Sequence, residues 1–251
     1  MIKQSFSWDG FARTGVEPRR LIRAAADIGY AGIDLVPQDF WQPTKDAGLK
    51  IVCIVGHPLS PAGLNKREHL PAIEASIRAN LELAARWEIP HLICFSGNRY
   101  GLDETAAAEI TAEHLRRLGA LAGSYGVTLI LELLNSKVKD RDYQADHTAW
   151  AAQVCRMVDL PHVKLLYDIY HMQIMEGDII NTVRQNHAHI AHYHTAGNPG
   201  RADLDEAQEL NYPAIVRAIK ETGYDGFIGH EFFPKGDAVA ALKAAFEVCN
   251  V

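Results

Sequence analysis

Three observations predict an α/β fold, specifically a (β/α)8 barrel. Eight short β-rich runs alternate with helical stretches along the 251 residues. Most of these runs are apolar from end to end, as parallel strands covered on both faces must be. The repeat averages about 31 residues, which suits eight βα units in a barrel of ordinary size.

In chain order, the expected strands are IKQSFSW (2–8), GIDLV (32–36), KIVCIV (50–55), HLICFSG (91–97), TLILEL (128–133), VKLLYDI (163–169), HIAHYHTA (189–196) and GFIGHEF (226–232). Helical patterns separate them, the clearest being LPAIEASIRANLELAARW (70–87) and ETAAAEITAEHLRRLGALAGSY (104–125); AVAALKAAFEV (238–248) closes the chain. Two stretches, AAADIGYAGIDLV and RAIKETGYDGFIGHE, look like copies of one unit. Each stops a helix at Gly-Tyr, turns at a second glycine and enters a strand, the chemistry of a short helix-to-strand loop. An open doubly wound sheet would carry a Gly-rich GxGxxG turn after an early strand, and the sequence has none. The loop GNPGRADLDEAQELN (197–211) is longer than ordinary connections and is expected to serve the site.

Composition narrows the function. With 48% hydrophobic and 22% charged residues, the chain reads as one domain over residues 1–251. A formal charge of −6 argues against a nucleic-acid partner, which calls for a basic face. The opening MIKQSFSWDG has no apolar leader core and no run is long enough to span a bilayer, so a cytoplasmic protein without a membrane partner is expected. Cys53, Cys94, Cys155 and Cys249 form no CxxC pair and read as buried free thiols in a reducing compartment.

In a barrel of this type the chemistry sits at the C-terminal strand ends. Strands five to eight end in LILELLN, KLLYDIYH, AHYHTAG and IGHEFFP, which supply Glu132, Asp168, His194 and Glu231 at spacings of 36, 26 and 37 residues. Those spacings place the four at equivalent positions on consecutive strands. Three clustered carboxylates repel one another unless a cation compensates them. The set therefore predicts one divalent metal held by Glu132, Asp168, His194 and Glu231. Its hard oxygens favour Mn2+ or Mg2+, with Co2+ or Zn2+ as alternatives. Because strand side chains alternate, His192 shares the inward face of His194 but lies one layer deeper. His189 and His230 point to the opposite face. His57, after strand three, is read as pocket wall or loop, and Trp8 as a pocket floor or core residue.

Longer stretches carry a resemblance: GLNKREH (63–69), LELLNSKVKDRDYQADHTAW (131–150), KLLYDIYHMQIMEGD (164–178), AHYHTAGNPGR (191–201), ELNYPAI (209–215) and GYDGFIGHEFFP (223–234). Together they resemble the xylose isomerase-like barrel superfamily, and within it the hydroxypyruvate isomerase branch. The resemblance implies the same four metal ligands, with Glu132 and Glu231 doubling as catalytic acid and base. It implies substrate binding by His171 and Arg201, to which the pocket-wall reading adds His57. The sequence departs from that branch at HYH, where many members read HIQ; the ketose 3-epimerases carry histidine there. The epimerases in turn place a glutamate where this chain has Val138.

The function that follows is an isomerase interconverting hydroxypyruvate and 2-hydroxy-3-oxopropanoate. A chelated metal would polarise the carbonyl and stabilise an enediolate while the glutamates move protons. Its partners are then a small hydroxy-carbonyl substrate and, in a homodimer or homotetramer, further copies of the chain. A ketose 3-epimerase or other sugar isomerase is the alternative. An endonuclease IV-like phosphodiesterase would need extra histidines on earlier strands and a DxH pair after strand seven. A ligand-binding barrel without catalysis would have no use for the four-residue set.

Overall fold

A computed structural model describes residues 2–59 and 62–251. Among them the chain forms eight parallel strands: β1 (Lys3–Ser7), β2 (Gly32–Asp34), β3 (Lys50–Val55), β4 (His91–Cys94), β5 (Thr128–Glu132), β6 (Val163–Asp168), β7 (Ile190–Thr195) and β8 (Phe227–His230). They close into a barrel in sequence order, as the alternating pattern predicts. The helices are α1 (Trp8–Ala12), α2 (Pro18–Ile28), α3 (Trp41–Asp46), α4 (Leu70–Trp87), α5 (Glu104–Ser124), α6 (Thr148–Val158), α7 (Ile169–Met175), α8 (Ile179–Asn186), α9 (Tyr212–Glu221) and α10 (Ala238–Cys249). None of the described helices is long and apolar enough to cross a membrane.

The helix ends follow local chemistry. Asp103 caps α5 by accepting from the Thr105 and Ala106 N–H groups, and Asp237 caps α10 through the Ala240 N–H. Helix α2 stops at Gly29, whose φ of 111° suits only glycine. In α4 the buried Ile73, Ile77, Leu81 and Ala84 recur every three or four residues, giving one apolar stripe. Most strands end one to three residues before their apolar runs do. Phe95, Ser96 and Leu133 lie beyond the last ladder pairs yet remain buried, so burial outlasts pairing. Trp8 opens α1 rather than ending a strand; it is buried and stacked on Phe40 at 5.1 Å, which favours the core reading.

Contacts group the chain into two compact units. The first holds the N-terminal segment through Val52 together with Asp178–His187 and His192–Val251. Here β8 pairs with β1 (Gln4 opposite Ile228) and β1 with β2 (Ser5 opposite Gly32). The Tyr30 hydroxyl donates to the Leu242 carbonyl at 2.9 Å, tying the end of α2 to α10. The second unit holds Cys53–Gly177 and Ala188–Ala191. Within it β4 pairs with β5, and β5 with β6 (Glu132 opposite Leu166). The four cysteines are buried thiols outside any disulfide, as their sequence context predicts.

Candidate metal centre at the strand ends

In the second unit, Glu132 and Asp168 are the last residues of β5 and β6, and both are buried. Asp168 also caps α7: its Oδ1 accepts the His171 N–H at 3.1 Å. That helix start explains the three-residue spacing of Asp168 and His171. The His171 ring is buried and its orientation is set by Asn135, whose backbone N–H donates to Nδ1 at 2.8 Å. With Nδ1 accepting, a neutral ring carries its proton on Nε2, which lies 3.7 Å from Asp168 Oδ2. Asn135 Oδ1 in turn accepts from the Val138 and Lys139 N–H groups, at 3.0 and 3.2 Å, and so shapes the loop after β5.

Two further residues brace this half. The Tyr143 hydroxyl donates to the Glu132 carbonyl at 2.9 Å and accepts the Ser96 N–H at 3.1 Å, joining the ends of β4 and β5. Burial raises the pKa of that phenol well above its usual value. His57 is buried, and its Nε2 accepts the Phe95 N–H at 3.0 Å. Burial pushes its pKa down to about 4, so the ring is neutral at pH 7. His57 is thus a buried residue that supports the end of β4.

In the first unit, His194 is fully buried on β7 and Glu231 follows β8 directly. The Glu231 N–H donates to the Thr195 carbonyl at 2.8 Å, which aligns the ends of β7 and β8. Glu231 Oε2 lies 3.2 Å from His194 Nδ1, and Arg201 Nη2 donates to the same oxygen at 2.5 Å. Ser7 Oγ donates to Oε1 at 3.4 Å. Arg201 sits at a φ of 53°, with its guanidinium 5.9 Å from the Phe233 ring centre and its carbonyl accepting the Phe233 N–H. The long loop that carries it is pinned. Gly197 and Ala202 exchange backbone hydrogen bonds, and the Asp203 and Asp205 carboxylates hold Lys235.

Behind His194 stands a residue that the sequence reading passed over, Asp34 at the end of β2. Its Oδ2 lies 2.8 Å from His192 Nε2 and 3.2 Å from His194 Nε2, and all three side chains are fully buried. Burial opposes ionisation of Asp34, but the electrostatic field and hydrogen bonds of the two imidazoles more than reverse this and hold its pKa far below the carboxylate range. His192 occupies the deeper layer that strand alternation predicts. His230 points away, lying 2.9 Å from Gln4 Oε1 and 2.8 Å from Thr195 Oγ1, and His189 is partly exposed.

The four residues of the sequence-derived set offer ligand atoms that all lie within 4.8 Å of one another: Glu132, Asp168, His194 and Glu231. A second group, Asp34, Cys53, His192 and His194, meets the same distance criterion. There, however, each histidine Nε2 is already directed at Asp34. The first group could hold a cation. A neutral His194 with its proton directed at Asp34 would turn a lone pair toward the Glu231 carboxylate. Two acceptors 3.2 Å apart are reconciled by a metal ion or a second proton.

The chain is thus an eight-stranded parallel barrel with a carboxylate-rich group at its C-terminal strand ends that could hold a metal ion. The chain belongs to the xylose isomerase-like TIM barrel family, whose model matches residues 22–249. It is 29% identical over 242 residues to a human protein named putative hydroxypyruvate isomerase, covering 88% of this chain and 86% of the relative. A protein of Pectobacterium atrosepticum named 2-oxo-tetronate isomerase is 26% identical over 226 residues, covering 85% of this chain and 86% of the relative. Among solved structures, an AP endonuclease, family 2, from Brucella melitensis superposes with a TM-score of 0.86 at 25% identity, covering 98% of each chain.

Proposed function

We propose that this protein is a metal-dependent isomerase interconverting hydroxypyruvate and 2-hydroxy-3-oxopropanoate, acting as one barrel domain. The observation that carries the reading is the convergence of Glu132, Asp168, His194 and Glu231 within 4.8 Å. The donor set fits a divalent ion: three hard carboxylates that repel one another without a cation, and one imidazole with a nitrogen directed at them. Mn2+ or Mg2+ suits it best. Bound there, the metal would polarise the substrate carbonyl as a Lewis acid.

The chain's own residues then account for the proton movements. One of the two glutamates, as carboxylate, removes a proton from C3 of hydroxypyruvate, and the C–H electron pair forms the C2–C3 double bond while the C2 carbonyl π pair moves onto O2, giving an enediolate. The other, as carboxylic acid, returns a proton to C2 as the C3 carbonyl forms, and the proton released by O3 passes to O2. Nothing is oxidised or reduced overall, and the roles of Glu132 and Glu231 exchange in the reverse direction. His171, with its proton on Nε2, donates a hydrogen bond to a substrate oxygen. Arg201 holds Glu231 with one arm of a guanidinium that has five donors and offers another to the substrate carboxylate.

The relative named 2-oxo-tetronate isomerase supports a second reading, in which the substrate is a longer 2-oxo acid with the same reacting atoms. A ketose 3-epimerase would use the same glutamates on a neutral sugar. Metal analysis of the purified protein, followed by NMR assay of hydroxypyruvate, 2-oxo-tetronate and a ketose panel, tests all three. Fastest turnover of hydroxypyruvate with one bound divalent ion supports the proposal. Turnover of ketoses alone refutes it.

A further inference from the structure

We infer that Asp34 is a positioning residue for the metal centre: it selects the Nε2–H form of His194 and thereby directs the Nδ1 lone pair at the ligand group. The inference rests on the metal reading above for its consequence and on geometry for its cause. An ionised carboxylate can only accept hydrogen bonds. Asp34 Oδ2, 3.2 Å from His194 Nε2, therefore favours the proton on that nitrogen. The opposite ring nitrogen, Nδ1, is the one that faces Glu231 Oε2 at 3.2 Å. A metal-binding histidine needs its ligating nitrogen unprotonated, and a carboxylate behind the ring secures this and fixes the ring plane.

Two neighbours hold the carboxylate in place. His192, two residues before His194 on the inward face of β7, directs its Nε2 at the same oxygen from 2.8 Å, so Asp34 is tied to both rings. Gly229 on β8 provides the room. A Cβ at that position would come within 2.1 Å of Asp34 Oδ2, 3.0 Å of His194 Cδ2 and 3.2 Å of His192 Nε2. Any side chain there would push Asp34 off the rings. Strands β2, β7 and β8 thus each give one element of the device: the acceptor, the two rings and the space. Asp34 touches no reacting atom in this scheme and acts only through His194.

The test combines a tautomer with an affinity. Long-range 1H–15N NMR on the metal-free wild-type protein, with His194 assigned by its loss in His194→Gln, should show the neutral ring protonated on Nε2. A ring protonated on Nδ1 alone would overturn the inference. Mn2+ titration should then show affinity 10- to 100-fold weaker in Asp34→Ala, the usual loss when a partner behind a metal-bound histidine is removed. Asp34→Asn keeps an acceptor for both rings and should fall between wild type and alanine, with the Nε2–H form retained. Equal Mn2+ affinity in wild type and Asp34→Ala would overturn the inference. If Asp34→Ala does not fold, the wild-type tautomer decides. Absence of Mn2+ binding in the wild type would instead remove the metal reading, while the tautomer still tests whether Asp34 orients His194.

Discussion

Arg201→Ala separates the two tasks assigned to this arginine. Its Nη2 lies 2.5 Å from Glu231 Oε2, and both side chains are largely buried. The substitution therefore removes a counter-charge from a proposed catalytic glutamate as well as a donor for the substrate. The first loss acts on every substrate, because Glu231 serves one proton transfer with each of them, and it should appear in kcat. The second acts only on substrates with a carboxylate and should appear in KM. A charge-assisted hydrogen bond contributes roughly 1.5–3 kcal/mol. At about 1.4 kcal/mol per factor of ten, that predicts a KM for hydroxypyruvate raised roughly 10- to 150-fold. The KM of any neutral ketose that turns over should change far less. Initial rates at saturating Mn2+ with both substrates measure the split. An equal rise in both KM values would show that Arg201 supports Glu231 but does not read a carboxylate.

Asp168→Asn should abolish stoichiometric metal binding, measured by elemental analysis, while leaving the thermal transition nearly unchanged; asparagine caps a helix about as well as aspartate, so α7 keeps its start. Metal content equal to wild type would remove Asp168 from the ligand set. Glu132→Gln and Glu231→Gln should each lower kcat on the order of 10²-fold or more at saturating metal, and near-normal turnover in either would break the two-glutamate mechanism. His57 should make the fold acid-sensitive. Its pKa near 4 lies below the ordinary value of about 6.5, so between these values the unfolded chain binds more protons, and stability present above pH 6.5 is lost as pH falls toward 4. The loss attributable to His57 is about 3 kcal/mol. Urea unfolding from pH 7 to 4.5 should show a shallower decline in His57→Gln, and identical slopes would refute the assignment.

The barrel was legible because its strands are apolar on both faces, and each such run marks a strand whatever its partner. The ends were less so. FSG after β4 reads as strand because Phe95 and Ser96 are as buried as the paired residues, yet the chain has already turned away from the ladder there. Trp8 misleads in the same way, since an aromatic can start a buried helix as readily as it can finish a strand. Hydropathy reports burial, and burial continues past the last hydrogen bond.

The strand-end set was legible for a different reason: four metal-competent side chains at one position of a repeating unit form a pattern in one dimension. Asp34 breaks no such pattern. In GIDLV it looks like any polar residue at a strand end, and its partners, His192 and His194, lie about 160 residues away on β7. Arg201 and Glu231 were each visible as candidates, but the ion pair between them, 30 residues apart, was not. A repeat displays the residues that do the same job on each strand. The residues that orient them do different jobs on different strands, so only closing the barrel brings them together. Gly229 shows the limit most clearly, because its contribution is the absence of a side chain beside a carboxylate contributed by β2.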